Sequence, residues 1–417
     1  MIRFREYIIV FAVAALATWL TTFVVRSLTR RHSLLVMPDE RRVHERPTPT
    51  AGGTAMYLGF LVSMAVASQM PAFGPVFRGS SAPLGVVLGA TVIFGVGLSD
   101  DMREMSPPAK LAGQVLAGTV LYFFGVDMLF FHVPLAQTTV VLSPDLAVLA
   151  TVLWVAVMAN SVNFIDGLDG LAAGIVAIGA GAFFIYAHQL GDVGNISSGN
   201  AGPLIAVIAV GICVGFLPHN FYPAKIFMGD SGALLLGLLM AASTMLIGGR
   251  SAGTVGGVAA QSGQTYFFFA PLFIPFFILG VPIVDMTFAF VRRTANRTGF
   301  STPDKNHLHH RLLRLGHGHR RSVLILWTWT VLLSGFILFP LYISSVNAII
   351  PFGALALGVV LYTLFHPSLR RPADPGSEGG GPGGTGSGGP DPGAGTDDPG
   401  ARPAGVTVAA GGPTGEV

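Results

Sequence analysis

Residues 151–190 read TVLWVAVMANSVNFIDGLDGLAAGIVAIGAGAFFIYAHQL, and this stretch decides the fold. An apolar run closes at about 162 and another opens at about 170. The chain between carries Asn163, Asp166 and Asp169 and no lysine or arginine. Roughly 20 apolar residues cross the hydrocarbon core of a bilayer, and a backbone inside lipid must satisfy its own hydrogen bonds. The two runs are therefore predicted membrane helices. Acids placed between them without basic partners are costly and mark a functional site.

Working outward, the same pattern recurs. Apolar segments fall at 7–26, 51–70, 82–98, 109–129, 145–162, 170–190, 201–218, 231–248, 265–291, 322–344 and 348–366, which predicts an all-α polytopic membrane protein with about eleven transmembrane helices. The ninth segment is interrupted by Pro271, Pro275, Gly280 and Pro282 and is expected to be broken or kinked. Composition agrees: 51% of the 417 residues are hydrophobic and 11% charged, against about 25% charged in a soluble domain. Mean hydropathy is +0.64. A net charge of +3 leaves no footprint for nucleic acid, and the lone Cys213 excludes an intramolecular disulfide or a thiolate cluster. The first run lacks a convincing cleavage site and is read as a retained helix.

Basic residues set the expected orientation. The odd-numbered connections hold Arg26 to Arg46, then Arg103 and Lys110, then Lys225, then Arg292 to Arg321. The even-numbered ones hold almost none, with Arg78 and Arg250 as exceptions. The N-terminus is thus expected outside and the C-terminus in the cytoplasm. Residues 371–417 are dominated by Gly and Pro, with small and polar residues and without Leu, Ile, Phe, Tyr or Trp, a composition expected to stay disordered beside a 1–370 membrane domain.

Five polar clusters fall in or beside the odd connections. The first runs PDERRVHERPTPTAGG from 38 to 53; its arginines, Arg46 among them, and its glycine pair suit an anion, or a headgroup-binding loop. The second is Ser99-Asp100-Asp101 with Lys110 beyond it. Two adjacent acids call for a proton or a cation, and could hold Mg²⁺ or act as a base, or end a solvated helix. The third is the Asn163, Asp166, Asp169 set, spaced by three. The fourth, HNFYPAKIFMGDSG at 219–232, offers Phe227 and Tyr222 to stack on a base, Lys225 to meet phosphate, and Asp230 ahead of the next span, where a helix cap is the plain reading. The fifth, PDKNHLHHR at 303–311, gives His307, His309, His310 and Arg311, an anion or metal site. Asp285 in the ninth segment has no assigned role.

Taken in order, the strings PTPTAGG, the acid pair at Asp100, NSVNFIDGLDGLAAG, NFYPAKIFMGDSG and DKNHLHHRLL resemble those of the polyprenyl-phosphate N-acetylhexosamine-1-phosphate transferases, over roughly residues 30–320. The short HLHH string resembles the GlcNAc-1-phosphate branch more than the phospho-MurNAc-pentapeptide branch. The resemblance implies transfer of GlcNAc-1-phosphate from UDP-GlcNAc to undecaprenyl or decaprenyl phosphate, with release of UMP. That reaction is an early membrane step of an envelope glycan. It implies Mg²⁺, with Mn²⁺ as an expected substitute, and a homodimer.

The resemblance also implies roles. Asp230, with Asp166, would hold the metal. Asp100 and Asp101 would assist the attacking lipid phosphate, and His309 and His310 would lie at the reacting groups. Lys110, Asn163, Asp169, Asn220, Phe227, His307, Arg46 and Arg311 would bind substrate. Two other readings stand beside this one: the pentapeptide transferase, and a secondary transporter using Asp100, Asp166 and Asp230. Transporter acids usually lie near the bilayer midplane, whereas these lie at one face.

Overall fold

The structure is a computed structural model that describes residues 2–31, 35–36, 48–133, 138–192, 196–248, 318–342, 351, 353–355 and 357–359. The ninth expected span, most of the eleventh and the tail from 371 lie outside the described residues. So do the site candidates Arg46, His307, His309, His310 and Arg311.

The described chain is mostly helical: α1 (Phe4–Arg31), α2 (Gly52–Gln69), α3 (Gly74–Arg78), α4 (Ala82–Met102), α5 (Pro107–Phe123), α6 (Pro144–Ile165), α7 (Leu171–Asp192), α8 (Gly202–Asn220), α9 (Gly229–Gly248) and α10 (His319–Tyr342). Proline stands in the first turn of α3 to α6 and α8, where its missing N–H costs nothing. Six described helices are long and apolar enough to cross a membrane, or seven if α2 and the helical segment Pro71–Arg78, bent by 88°, count as one span. At 17 residues, α5 is shorter than the expected fourth segment, because the chain turns at Gly125 and continues as a strand from Phe130.

Two small antiparallel pairs depart from the all-α expectation. Leu35–Val36 (β1) pairs with Thr48–Pro49 (β2), and Phe130–Val133 (β3) pairs with Thr138–Val141 (β4). The second pair is built from aromatic and β-branched residues, which suit a pleated surface better than a helix.

Helix α9 is the centre of the bundle. Of its apolar window 94% is buried, against 22% for α1, and it touches α2, α4, α6, α7 and α8. The outer helices turn large apolar side chains outward, among them Leu16, Trp19, Phe23, Leu116, Leu149 and Leu153, as a lipid-facing surface does.

The approach of α4 to α9 depends on glycine. A Cβ on Gly97 would stand 2.4 Å from Cα of Ser231, and one on Gly53 of α2 would stand 2.2 Å from the Gly232 amide nitrogen. Both obstacles are backbone and cannot swing away. Gly97→Val should therefore push α4 off the first turn of α9, an overpacking that costs about 1–3 kcal/mol or more. The expected result is a lowered unfolding temperature together with loss of activity, while Gly95→Ala on the same helix, where a Cβ meets nothing within 4 Å, should match wild type. Thermal unfolding of the two detergent-purified variants makes the comparison.

Candidate active site

The second, third and fourth clusters of the sequence converge where the C-terminal ends of α4 and α6 meet the N-terminal ends of α5 and α9. The N-terminus of α9 is the hinge of the arrangement. Gly229 takes φ +71°, a left-handed conformation suited to glycine, and turns the chain into the helix. The first free amides of α9 then find Asp101, at the end of α4. Its Oδ1 accepts from the Asp230 amide at 2.8 Å. Its Oδ2 accepts from the Ser231 amide at 3.0 Å and the Ser231 hydroxyl at 2.6 Å. A carboxylate here caps the helix and meets its positive end. Both oxygens of Asp101 are thus committed to seating α9. It holds the turn of α9 that carries Asp230.

The neighbouring Asp100 faces elsewhere, since adjacent helical residues point about 100° apart. Its Oδ1 accepts from the Met105 amide at 2.8 Å and holds the turn between α4 and α5, while its Oδ2 pairs with Lys110 Nζ at 3.3 Å. Lys110 also donates to Asp230 Oδ2, and Asn163 Nδ2 of α6 donates to Asp230 Oδ1 at 2.9 Å. Four helices therefore present Asp100, Lys110, Asn163 and Asp230 to one another. These side chains remain in part reachable: Asp230 is 27% exposed and Lys110 18%.

The loops beneath are tied together by side chains that the sequence offered as substrate ligands. Asn220 is buried; its Oδ1 accepts from the Gly170 amide at 3.0 Å and its Nδ2 donates to the Ile226 carbonyl at 3.0 Å. Asp169 Oδ2 accepts from the Ala224 amide at 2.8 Å, and the Asp169 amide donates to His319 Nε2 at 3.0 Å. These contacts lock the α6–α7 connection against the α8–α9 connection. Phe227 acts here through its backbone: its amide donates to the Pro49 carbonyl at 2.9 Å, and its carbonyl accepts from the Gly52 amide at 2.9 Å. The PTPTAGG and FMGD strings thus lie side by side.

Sequence reasoning missed His319, which anchors the start of α10. It stacks on Tyr222 at 4.5 Å between centroids, and Arg320 sits 5.6 Å from the same ring. It also missed Ser231, whose place in GDSG reads as a small turn residue until its partner is seen.

Asp166 caps the C-terminal end of α6. Burial, and then the nearby charges of Asp101 and Asp169, push its carboxyl up to about 7. A group of acids that resists ionisation is an environment a cation would relieve. Among the described residues no three His, Cys, Asp or Glu side chains stand together as a metal-holding group. Mg²⁺ does not require such a cage, since it is commonly held by one or two carboxylates with phosphate oxygens and water completing the shell. A partly exposed carboxylate such as Asp230 suits that mode of holding.

The chain has relatives among known proteins. Residues 83–248 match the model of glycosyl transferase family 4. The chain is 39% identical over 366 residues to the decaprenyl-phosphate N-acetylglucosaminephosphotransferase of Mycobacterium leprae, covering 86% of this chain and 89% of that one. It is 40% identical over 328 residues to the protein of the same name from Mycobacterium tuberculosis, covering 78% and 80%. A phospho-N-acetylmuramoyl-pentapeptide-transferase of Mycolicibacterium smegmatis is 34% identical over 266 residues, covering 54% and 72%.

Proposed function

The chain belongs to the polyprenyl-phosphate N-acetylhexosamine-1-phosphate transferases of glycosyl transferase family 4, and from that membership we propose how its site works. It transfers GlcNAc-1-phosphate from UDP-GlcNAc to decaprenyl or undecaprenyl phosphate, releasing UMP and leaving polyprenyl-diphosphate-GlcNAc. The observation that carries the mechanism is the hub at Asp230, where Lys110 and Asn163 converge from two other helices on one carboxylate.

Two anions must react, and their repulsion is the barrier the protein has to lower. Lys110 supplies one positive charge beside the acids. Asp230 and Asp166 would hold Mg²⁺, which when bound neutralises the donor diphosphate and stabilises the leaving UMP. Asn163 keeps Asp230 oriented, and Asp101 seats the helix that carries it. An oxygen of the lipid phosphate forms a bond to the sugar-bearing phosphorus. The bond from that phosphorus to the bridging oxygen breaks, and its electron pair leaves on UMP. Phosphate has a second pKa near 6, so the nucleophile is largely ionised near neutrality. Asp100, paired with Lys110, therefore assists rather than being required as a base.

Support for a cytoplasmic site comes from charge: the ends of α4, α5 and α9 that build it adjoin the connections bearing Arg103, Lys110 and Lys225. That placement puts the N-terminus outside.

The test is a donor panel in detergent with decaprenyl phosphate. UDP-GlcNAc with Mg²⁺ should yield UMP and lipid-linked GlcNAc-1-phosphate. A chelator should stop the reaction and Mn²⁺ should partly restore it. Equal or faster turnover of UDP-MurNAc-pentapeptide would contradict the assigned donor, and unchanged turnover in chelator would contradict the metal.

A further inference from the structure

One turn deeper in the bundle than Lys110 and Asn163 lies a pair of amides that the reaction does not call on. Gln114 of α5 is 1% exposed. Asn160 Nδ2 donates to Gln114 Oε1 at 2.7 Å, and Gln114 Nε2 donates back to Asn160 Oδ1 at 3.3 Å. Asn160 Nδ2 also donates to the Ala156 carbonyl at 2.8 Å, which fixes its rotamer on α6.

Spacing links this pair to the site. Gln114 follows Lys110 by four residues and Asn160 precedes Asn163 by three, so each amide shares a helical face with the residue that reaches Asp230. Further along the seam the helices close on Gly118, where a Cβ would stand 3.0 Å from Val152 Cα. Contacts of that kind bring helices together without choosing a register, because lipid is as apolar as the packed side chains. A reciprocal amide pair is directional: a slide of one residue along the axis, about 1.5 Å, breaks both bonds.

We propose that Gln114 and Asn160 are a buried positioning pair, which sets the register of α5 against α6 and so brings Lys110 and Asn163 onto Asp230 together. The inference rests on the reading of the Asp230 hub as the transfer centre. Neither amide is a catalytic residue; both act through Lys110 and Asn163.

The experiment measures kcat and KM for UDP-GlcNAc in full-length detergent-purified Gln114→Leu, Asn160→Leu, the double variant, and the exchange Q114N/N160Q. Misplacement of about 1 Å costs on the order of a hundredfold in rate, so each leucine variant should lose about 30-fold or more in kcat with KM changed little. The double variant should be no worse than the worse single one, because the pair is lost once. The exchange keeps two facing amides and should recover at least about a third of wild-type kcat.

Thr244→Val is the control. It removes a hydrogen bond of similar kind, from Trp154 Nε1 to Thr244 Oγ1 at 2.8 Å, that joins α6 to α9 away from the site. A purely structural role for membrane-buried hydrogen bonds would predict equal losses in both places; the proposal predicts wild-type kcat for Thr244→Val. Should Gln114→Leu fail to run as a single species on size exclusion, Gln114→Met carries the same expectation. A folded variant with wild-type kcat, beside an inactive Asp230→Ala, overturns the positioning pair. An active Asp230→Ala overturns the reading of the hub itself.

Discussion

Asp230→Ala is expected to lower UMP release by about a thousandfold or more while the protein still folds. The size follows from what converges on one carboxylate. Lys110 and Asn163 both donate to it, so its removal frees two donors and breaks the link between α5, α6 and α9. Loss of one preorganised electrostatic group in an active site commonly costs 10²–10³ in rate, roughly 3–4 kcal/mol, and loss of a metal ligand adds to that. Stability should change little, because the cap of α9 is Asp101 and Asp230 is partly exposed. Asp230→Asn should be nearly as inactive, since its amide cannot supply the charge. Initial rates of UMP release, measured beside a thermal unfolding curve, separate the two effects. A rate within tenfold of wild type would remove Asp230 from the centre of the mechanism.

Asp101→Ala should fail in a different way, losing stability and activity together. Three hydrogen bonds to the first turn of α9 disappear, two of them from backbone amides with no other partner in the helix. A lost cap costs about 0.5–2 kcal/mol and hydrogen bonds to a charged group about 1.5–3 each, so on the order of 3 kcal/mol is expected. Asp101→Asn should fall between, because its one carbonyl oxygen still accepts while its NH₂ faces a donor. Ser231→Ala, which deletes only the hydroxyl bond, should be mildest. Unfolding temperatures ranked wild type, Ser231→Ala, Asp101→Asn, Asp101→Ala are the expected order. An Asp101→Ala protein as stable as wild type, with a selective loss of kcat, would instead return Asp101 to the catalytic group.

The adjacent acids Asp100 and Asp101 illustrate how far the sequence could be read. Period and polarity located α4 to within a few residues and placed both acids at its end, since membrane helices announce themselves by length and apolarity. What adjacency hid was the division of labour. Side chains at i and i+1 point to different neighbours, and only the packing of α4 between α5 and α9 decides which carboxylate meets Lys110 and which meets an unpaired helix end. Asn220 shows the same limit: the sequence places it at the end of a predicted span, and only the packing gives its hydrogen bonds with the Gly170 amide and the Ile226 carbonyl. Gln114 was invisible for the opposite reason: one amide in an apolar run has no signature until Asn160 is found across from it.

The strands at Phe130–Val133 and Thr138–Val141 escaped because four-residue apolar pieces read equally as the end of a helix. Apolarity also overstated the fourth span, where Gly125 turns the chain before the bilayer length is reached. The recurring strings fared better than any single residue. PTPTAGG and FMGD, far apart in the chain, are joined by backbone hydrogen bonds from Gly52 and Gly53 to Phe227 and Met228.

The central claim is that the phosphate travels with the sugar. UDP-GlcNAc radiolabelled at the β-phosphorus, incubated with the purified protein, decaprenyl phosphate and Mg²⁺, tests it in one partition between organic and aqueous phases. Label in the lipid phase with unlabelled UMP in the water is the result predicted here. Label retained in the water as UDP, with sugar alone passing to the lipid, would contradict it.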